Sequence, residues 1–130
     1  MIALDTTAII DLFKGEENLK RILSRITEPL ASTHLNYLEL LFGIDPLNSK
    51  HVEEMKYYDD LFSELTVLLL DEPSCKRAAE VFSTLNHRGK SIGKFDCIVT
   101  GIVLHHGITK ILTRNVRHFD EVPGLKVLAY

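Results

Sequence analysis

Three carboxylates stand where the surrounding residue types make a charge costly. Asp5 closes the short apolar run Ile2-Ala3-Leu4 and is followed by Thr6. Glu39 lies inside LNYLELLFGI, where its helical neighbours are Leu35, Asn36, Phe42 and Gly43. Asp96 lies in SIGKFDCIVTGIVLHHG, where Gly93 and Thr100 are its small neighbours at i−3 and i+4 and leave room for an approach to the carboxylate. An uncompensated charge in such company is expensive, so a partner or a cation is expected. Each acid taken alone has a plainer reading: Asp5 as a helix N-cap, Glu39 on a narrow exposed stripe, Asp96 as a complement to a helix N-terminus. Three carboxylates brought within a few ångströms repel one another, so some would protonate or a cation must bind. Hard, oxygen-only ligation suits Mg²⁺ or Mn²⁺.

The elements that would position these acids are legible as an alternation. Residues 2–5, 29–33, 65–70, 110–113 and 126–129 read as strands, short and apolar. Helices are expected from Thr6 to about Arg25 with a break at Gly15, from His34 to before Pro46, over 49–64, over 73–87, and from an N-cap at Ser91 to His106. Pro123-Gly124 reads as the turn between the last two strands. The run LTVLLL at 65–70 is the clearest strand, and its continuous apolarity suggests burial on both faces. Strands alternating with helices predict an α/β fold, a three-layer α/β/α arrangement with a central parallel sheet of about five strands. A helix that follows a parallel strand starts at the sheet's carboxyl edge, where sites in such folds lie. Asp5 at a strand end, with Glu39 and Asp96 in early helix turns, can converge there. Asn115 ends the fourth strand at the same edge and offers a carbonyl ligand or a hydrogen bond. Arg114 and Arg117 could hold phosphate or serve only as surface charge.

Composition bounds the rest. The chain has 130 residues, 45% hydrophobic and 25% charged, which suits one globular domain over 1–130 with a core of its own. Its two cysteines, Cys75 and Cys97, exclude a disulfide scaffold and a zinc cluster. With a net charge of −3, bulk electrostatic attraction to nucleic acid is excluded, and any phosphate chemistry needs local basic residues or bound cations. The start does not read as a signal peptide, and Cys97–Leu104 is far too short to span a bilayer, so a soluble, cytoplasmic protein without membrane partners is expected. Two decoys fall away. Gly89-Lys90-Ser91 copies the tail of a phosphate-binding loop but has Thr84 where the first glycine belongs. His105 and His106 are adjacent, so on a helix they point about 100° apart. A phospho-receiver would want a second acid beside Asp5, and Ala3, Leu4 and Thr6 supply none.

With Asp5-Thr6, then Glu39-Leu40 followed by Gly43, then IGKFDCIVTGIVLHHGITKILTRNVRHFDEVPGLKV, the sequence resembles the PIN-domain ribonucleases of the VapC-like toxin type. In that family the last block reads as a strand, T-x-[ND], a Phe and a Gly-Leu turn, which Thr113, Asn115, Phe119, Gly124 and Leu125 fit. There are two departures: Asn36 stands where many relatives carry Ser or Thr, and Asn115 where many carry a fourth acid. The resemblance implies a Mg²⁺- or Mn²⁺-dependent ribonuclease acting on RNA phosphodiesters. Asp5, Glu39 and Asp96 would be metal ligands, and Asn115 would complete the catalytic set. Thr6, Asn36 and Thr113 would orient ligands or water, and Lys94, Arg114 and Arg117 would face flanking phosphates. It further implies a homodimer and a small cognate antitoxin, with Phe13, Tyr37 or Phe42 either lining the antitoxin groove or serving as ordinary core. An RNA-processing nuclease outside such a pair, and a catalytically silent module of the same fold, are the other readings.

Overall fold

A computed structural model describes residues 1–130. The short apolar runs become five strands, β1 (Ile2–Leu4), β2 (Leu30–Thr33), β3 (Thr66–Leu68), β4 (Lys110–Leu112) and β5 (Lys126–Leu128). All pair in parallel, in the order β3-β2-β1-β4-β5. The connections are helical: α1 (Thr6–Lys14) and α2 (Glu17–Leu23), α3 (His34–Phe42) and α4 (Lys50–Glu64), α5 (Glu72–His87) and α6 (Lys94–His105), then the single turn α7 (Val116–Phe119). The strand order reverses at β1, between β2 and β4, so that strand's carboxyl end is the expected place for a site.

β1 is buried on both faces, and its side chains divide between two cores. Ile2 and Leu4 join Leu112 and residues of α1 to α4, including Ile9, Leu19, Leu40, Tyr58 and Phe62. Ala3 joins Ala31, Leu68 and Ile111 with residues of α5 and α6, including Val81, Leu85, Val99 and Ile102. The three-layer arrangement read from the sequence is the one observed. Gly15, at φ +75°, supplies the left-handed turn that ends α1 and lets α2 start. Gly101 sets the closeness of α5 and α6: a Cβ there would stand 2.5 Å from the Ala78 nitrogen.

Three local expectations are corrected. The run at 65–70 forms a strand only over 66–68, and at the sheet edge, with Leu69 and Leu70 exposed. Continuous apolarity cannot tell a central strand from an edge strand flanked by apolar surface. Ser91 is not the N-cap of α6; Gly93 is, and Asp96 therefore falls in the first helical turn rather than the second. Finally, α7 interrupts the stretch between the last two strands. It is too short to show a helical period, and it is anchored by Phe119, which is fully buried.

Candidate active site

Asp5 occupies the N-cap position of α1 with extended backbone, yet its side chain makes no capping bond. It turns instead across the sheet edge. Its Oδ2 accepts from the Thr113 hydroxyl at 2.8 Å and the Thr7 hydroxyl at 3.1 Å, and its Oδ1 from the Asn36 amide at 3.4 Å. The residue is 3% exposed, all three donors are neutral, and no cationic side chain pairs with it. The N-cap reading thus accounts for where the backbone lies but not for what the carboxylate does.

Asn36 explains its own presence. Thr33 caps α3 and Asn36 returns the bond, a reciprocal capping box. The Asn36 carbonyl accepts from the Thr33 hydroxyl at 2.7 Å and the Thr33 N–H at 3.3 Å. Its amide donates to Asp5 and, at 3.0 Å, to the Thr6 hydroxyl. A buried primary amide has four bonding positions, and all four are used here. Ser or Thr could not bridge as many groups. The Thr6 hydroxyl in turn donates to Glu39 Oε1 at 2.9 Å, one turn further along α3. Asp5, Asn36, Thr6 and Glu39 form one hydrogen-bonded chain across β1, α1 and α3.

The other half of the edge is built by α6 and α7. Helix α6 packs against α3 and β2, which brings Asp96 toward Glu39 and Asp5. The Asp96 side chain is 16% exposed, and its Oδ2 lies 2.7 Å from His118 Nδ1. Burial raises the Glu39 carboxyl above its usual range; the Thr6 bond opposes this, and the charges of Asp5 and Asp96 add to it. Burial likewise raises Asp96, opposed by His118 and assisted by Asp5. Both are therefore in the field of Asp5, and Glu39 is also in that of Asp96. The structure brings no three His, Cys, Asp or Glu side chains together in a group that could by itself hold a metal ion. Thr100, expected to leave room beside Asp96, is fully buried with an unpartnered hydroxyl.

The remaining sequence candidates are less tightly held. Asn115 caps α7 by position without a side-chain bond; its N–H donates to Thr113 Oγ1 at 3.0 Å. Its amide therefore does not bond Asp5 or Asp96. Arg114 is exposed and its Nη1 donates to Asp11 Oδ1 at 3.0 Å, while the Tyr130 hydroxyl donates to Asp11 Oδ2 at 2.6 Å. Arg117 is exposed and forms no ion pair. Lys94 borders an apolar hollow of about 310 Å³ with Leu70, Phe82, Cys97 and Ile98, a hollow that none of the acids lines. Phe13 packs on Tyr57 and Tyr58 and Tyr37 on Phe62, and both are partly buried against the core. Phe42 is 68% exposed and stacks on Phe95.

Sequence reasoning missed Thr7, His118 and the buried Asp11. Thr7 follows a residue already singled out, and a helix start at Thr6 would have implicated it. His118 carried no signal, because 22 residues separate it from Asp96 and its helix is one turn long.

An all-parallel 3-2-1-4-5 sheet between helical layers, with acids at the carboxyl edge where the order reverses, defines a class of α/β domain. The sequence pattern of the PIN domain matches residues 2–125, and the chain belongs to that family. No curated protein matches the sequence. Among solved structures, VapBC2 from Rickettsia felis, bound to a DNA fragment from its promoter, superposes with a TM-score of 0.85 at 19% identity, covering 100% of this chain and 99% of that one. VapBC-1 from nontypeable Haemophilus influenzae superposes at 0.80 with 24% identity, covering 99% and 98%. Mycobacterium tuberculosis VapC20, a sarcin-ricin loop cleaving toxin, superposes at 0.72 with 11% identity, covering 96% and 98%. At these identities the likeness is one of fold.

Proposed function

We propose that the chain is a divalent-metal-dependent endoribonuclease, a single PIN nuclease domain acting in the cytoplasm as the toxin of a toxin–antitoxin pair. The observation that carries this reading is Asp5. It is a carboxylate 3% exposed, held by neutral donors alone and paired with no cationic side chain, with Glu39 and Asp96 in its neighbourhood. A polyanionic substrate cannot enter such a pocket without a cation.

The donor set fits Mg²⁺ or Mn²⁺. Every candidate ligand is a hard oxygen, and Glu39 Oε2 and Asp96 Oδ1 carry no intramolecular hydrogen bond. Mg²⁺ does not need three protein ligands, since it keeps several waters and is held through one or two carboxylates plus substrate phosphate. When bound, the ion would lower the pKa of a water and neutralise charge on the scissile phosphate. The protein's own contribution is orientation. Thr7, Thr113 and Asn36 fix the Asp5 carboxylate, and Thr6 fixes that of Glu39. Asn115 presents an uncommitted amide oxygen at the same edge. Lys94, Arg114 and Arg117 are exposed cations for flanking phosphates.

The same charge pattern suits an inhibitor that places an Arg or Lys among the acids, as a cognate antitoxin would. The solved structures that share the fold include a toxin–antitoxin complex from Klebsiella pneumoniae and VapBC-5 of Mycobacterium tuberculosis, of a toxin–antitoxin family, which supports an antitoxin partner; a homodimeric toxin is part of the same proposal. No helix is long and apolar enough to cross a membrane.

Asp96→Asn tests the function. It keeps shape and removes charge, and it is expected to abolish Mg²⁺-dependent RNA cleavage while the helical circular-dichroism signal stays unchanged. Cleavage at the wild-type rate would remove Asp96 from the site. Scattering that shows only monomer at micromolar concentration would reject the dimer. Failure to copurify a small basic-tailed partner from the native host would count against the antitoxin.

A further inference from the structure

The two sides of the acidic edge differ in how their carboxylates are aimed. Asp5 has three hydrogen-bond donors, whereas Asp96 has one, the imidazole of His118 at 2.7 Å. Helix α7, which carries His118, is secured at both ends. Its first turn closes through the His118 N–H to the Asn115 carbonyl at 3.0 Å, and the Asn115 N–H is bonded to Thr113 Oγ1, the same hydroxyl that donates to Asp5. Phe119, the next residue, is fully buried among Ala3, Ile111 and Val122. The backbone under His118 is thus fixed to the core, while its ring, half exposed, reaches out to Asp96.

We propose that His118 is a positioning residue for the divalent cation: its Nδ1–H holds Asp96 Oδ2 and leaves Oδ1 open to the ion. This inference rests on the metal-dependent reading above. An imidazole N–H bonded to Oδ2 leaves Oδ1 without an intramolecular partner, so it orients the ligand while one of its oxygens stays open. Freed of that bond, the Asp96 side chain would rotate among several rotamers, and the ordering cost would fall on metal binding.

The test is calorimetric titration of Mn²⁺ into RNA-free protein. Four proteins are compared: wild type, His118→Ala, His118→Asn and Asp96→Asn. Asparagine places an amide donor near the Nδ1 position. The expected result is a loss of about tenfold in Mn²⁺ affinity for His118→Ala, with His118→Asn returning to within about threefold of wild type. Equal or tighter binding by His118→Ala would overturn the proposal, since the imidazole would then be idle or a stand-in for the metal. Equal weakening in the Ala and Asn variants would also overturn it, because any loss of packing would explain that. Asp96→Asn separates the two levels. If it binds Mn²⁺ as wild type does, or wild type binds none, the metal-dependent reading fails and takes this proposal with it. If it loses binding while His118→Ala keeps it, only the role of His118 fails.

Discussion

Asp5 and Asp11 stand on one continuous segment, six residues apart, and are 3% and 4% exposed. Their surroundings are opposite in kind. Asp11 is matched by a guanidinium and a phenol, Arg114 and Tyr130, so its charge is offset where it is buried. It ties α1 to the segment after β4 and to the last residue of the chain. Burial, and then the hydrogen bond to Asp11 and its charge, press the Tyr130 hydroxyl well above its usual range. Asp5 receives three neutral donors and no cation, and its charge reaches Glu39 and Asp96. A buried acid whose charge is neutralised internally serves the fold. One that is bonded only by neutral donors keeps its charge available to something from outside.

The comparison can be broken most sharply through activity. Asp5→Asn keeps the volume, and at least part of the hydrogen bonding, but removes the charge. Cleavage is expected to fall by about 10³-fold or more, since metal-assisted charge stabilisation is worth several kcal/mol and each 1.4 kcal/mol is tenfold in rate. Asp11→Asn should leave cleavage per folded molecule unchanged. Gel-based cleavage assays at saturating Mn²⁺ decide; equal losses in both variants would erase the distinction.

Stability should show the reverse ranking. Asp11→Ala strands a guanidinium and a phenol and is expected to cost about 2 kcal/mol. That is less than a fully buried pair would lose, because the Arg114 side chain is 55% exposed. Urea unfolding of the metal-free protein measures this. A change under about 0.5 kcal/mol, the usual range of surface substitutions, would demote Asp11 to a surface contact.

Asn115→Asp sharpens the comparison by adding a charge on the Asp5 side of the balance. The amide makes no side-chain bond in the structure, so the substitution breaks nothing. Mn²⁺ affinity should rise about fivefold, roughly 1 kcal/mol for one added charge near the ion in a solvated site. Unchanged or weaker affinity in calorimetry would reject a ligand role for this position.

The smallest effect is on pH dependence. Glu39 and Asp96 have folded pKa values above their unfolded ones, so between those values the folded state binds more protons than the unfolded state. Stability of the metal-free protein from these two groups is therefore highest at low pH and is lost as pH rises through the raised pKa values. Glu39→Gln does not titrate and can still accept from Thr6. In EDTA its Tm should exceed that of wild type by a few degrees, with the gap widening as pH rises from the ordinary carboxylate range toward neutrality. A gap that is constant with pH would show that the ionised form of Glu39 carries no cost.

Asp5, Glu39 and Asp96 were legible because each is a charge placed in an apolar period, a conflict visible in one dimension. The five strands and the parallel sheet were legible for a similar reason: short apolar runs alternate with helical lengths, and β1 and β4 are indeed buried. The edge position of β3 was not, because apolarity reports a run's composition and not its neighbours. The start of α6 was misplaced because Ser91 is a good capping residue by type, while Gly93 takes that role with no side chain to signal it.

What the sequence determined by itself is the set of elements, their order and the residues that cannot be comfortable in water-free surroundings. Those follow from periodicity and from the cost of burying charge, both local in the chain. Only the tertiary structure decided which partner each charge would meet. Asp5 meets Thr113 across 108 residues, Asp11 meets Tyr130 across 119, and Asp96 meets His118 through a helix of four residues. Hydrogen bonds act over about 3 Å in space, and chain separation carries no information about that distance until the sheet has closed.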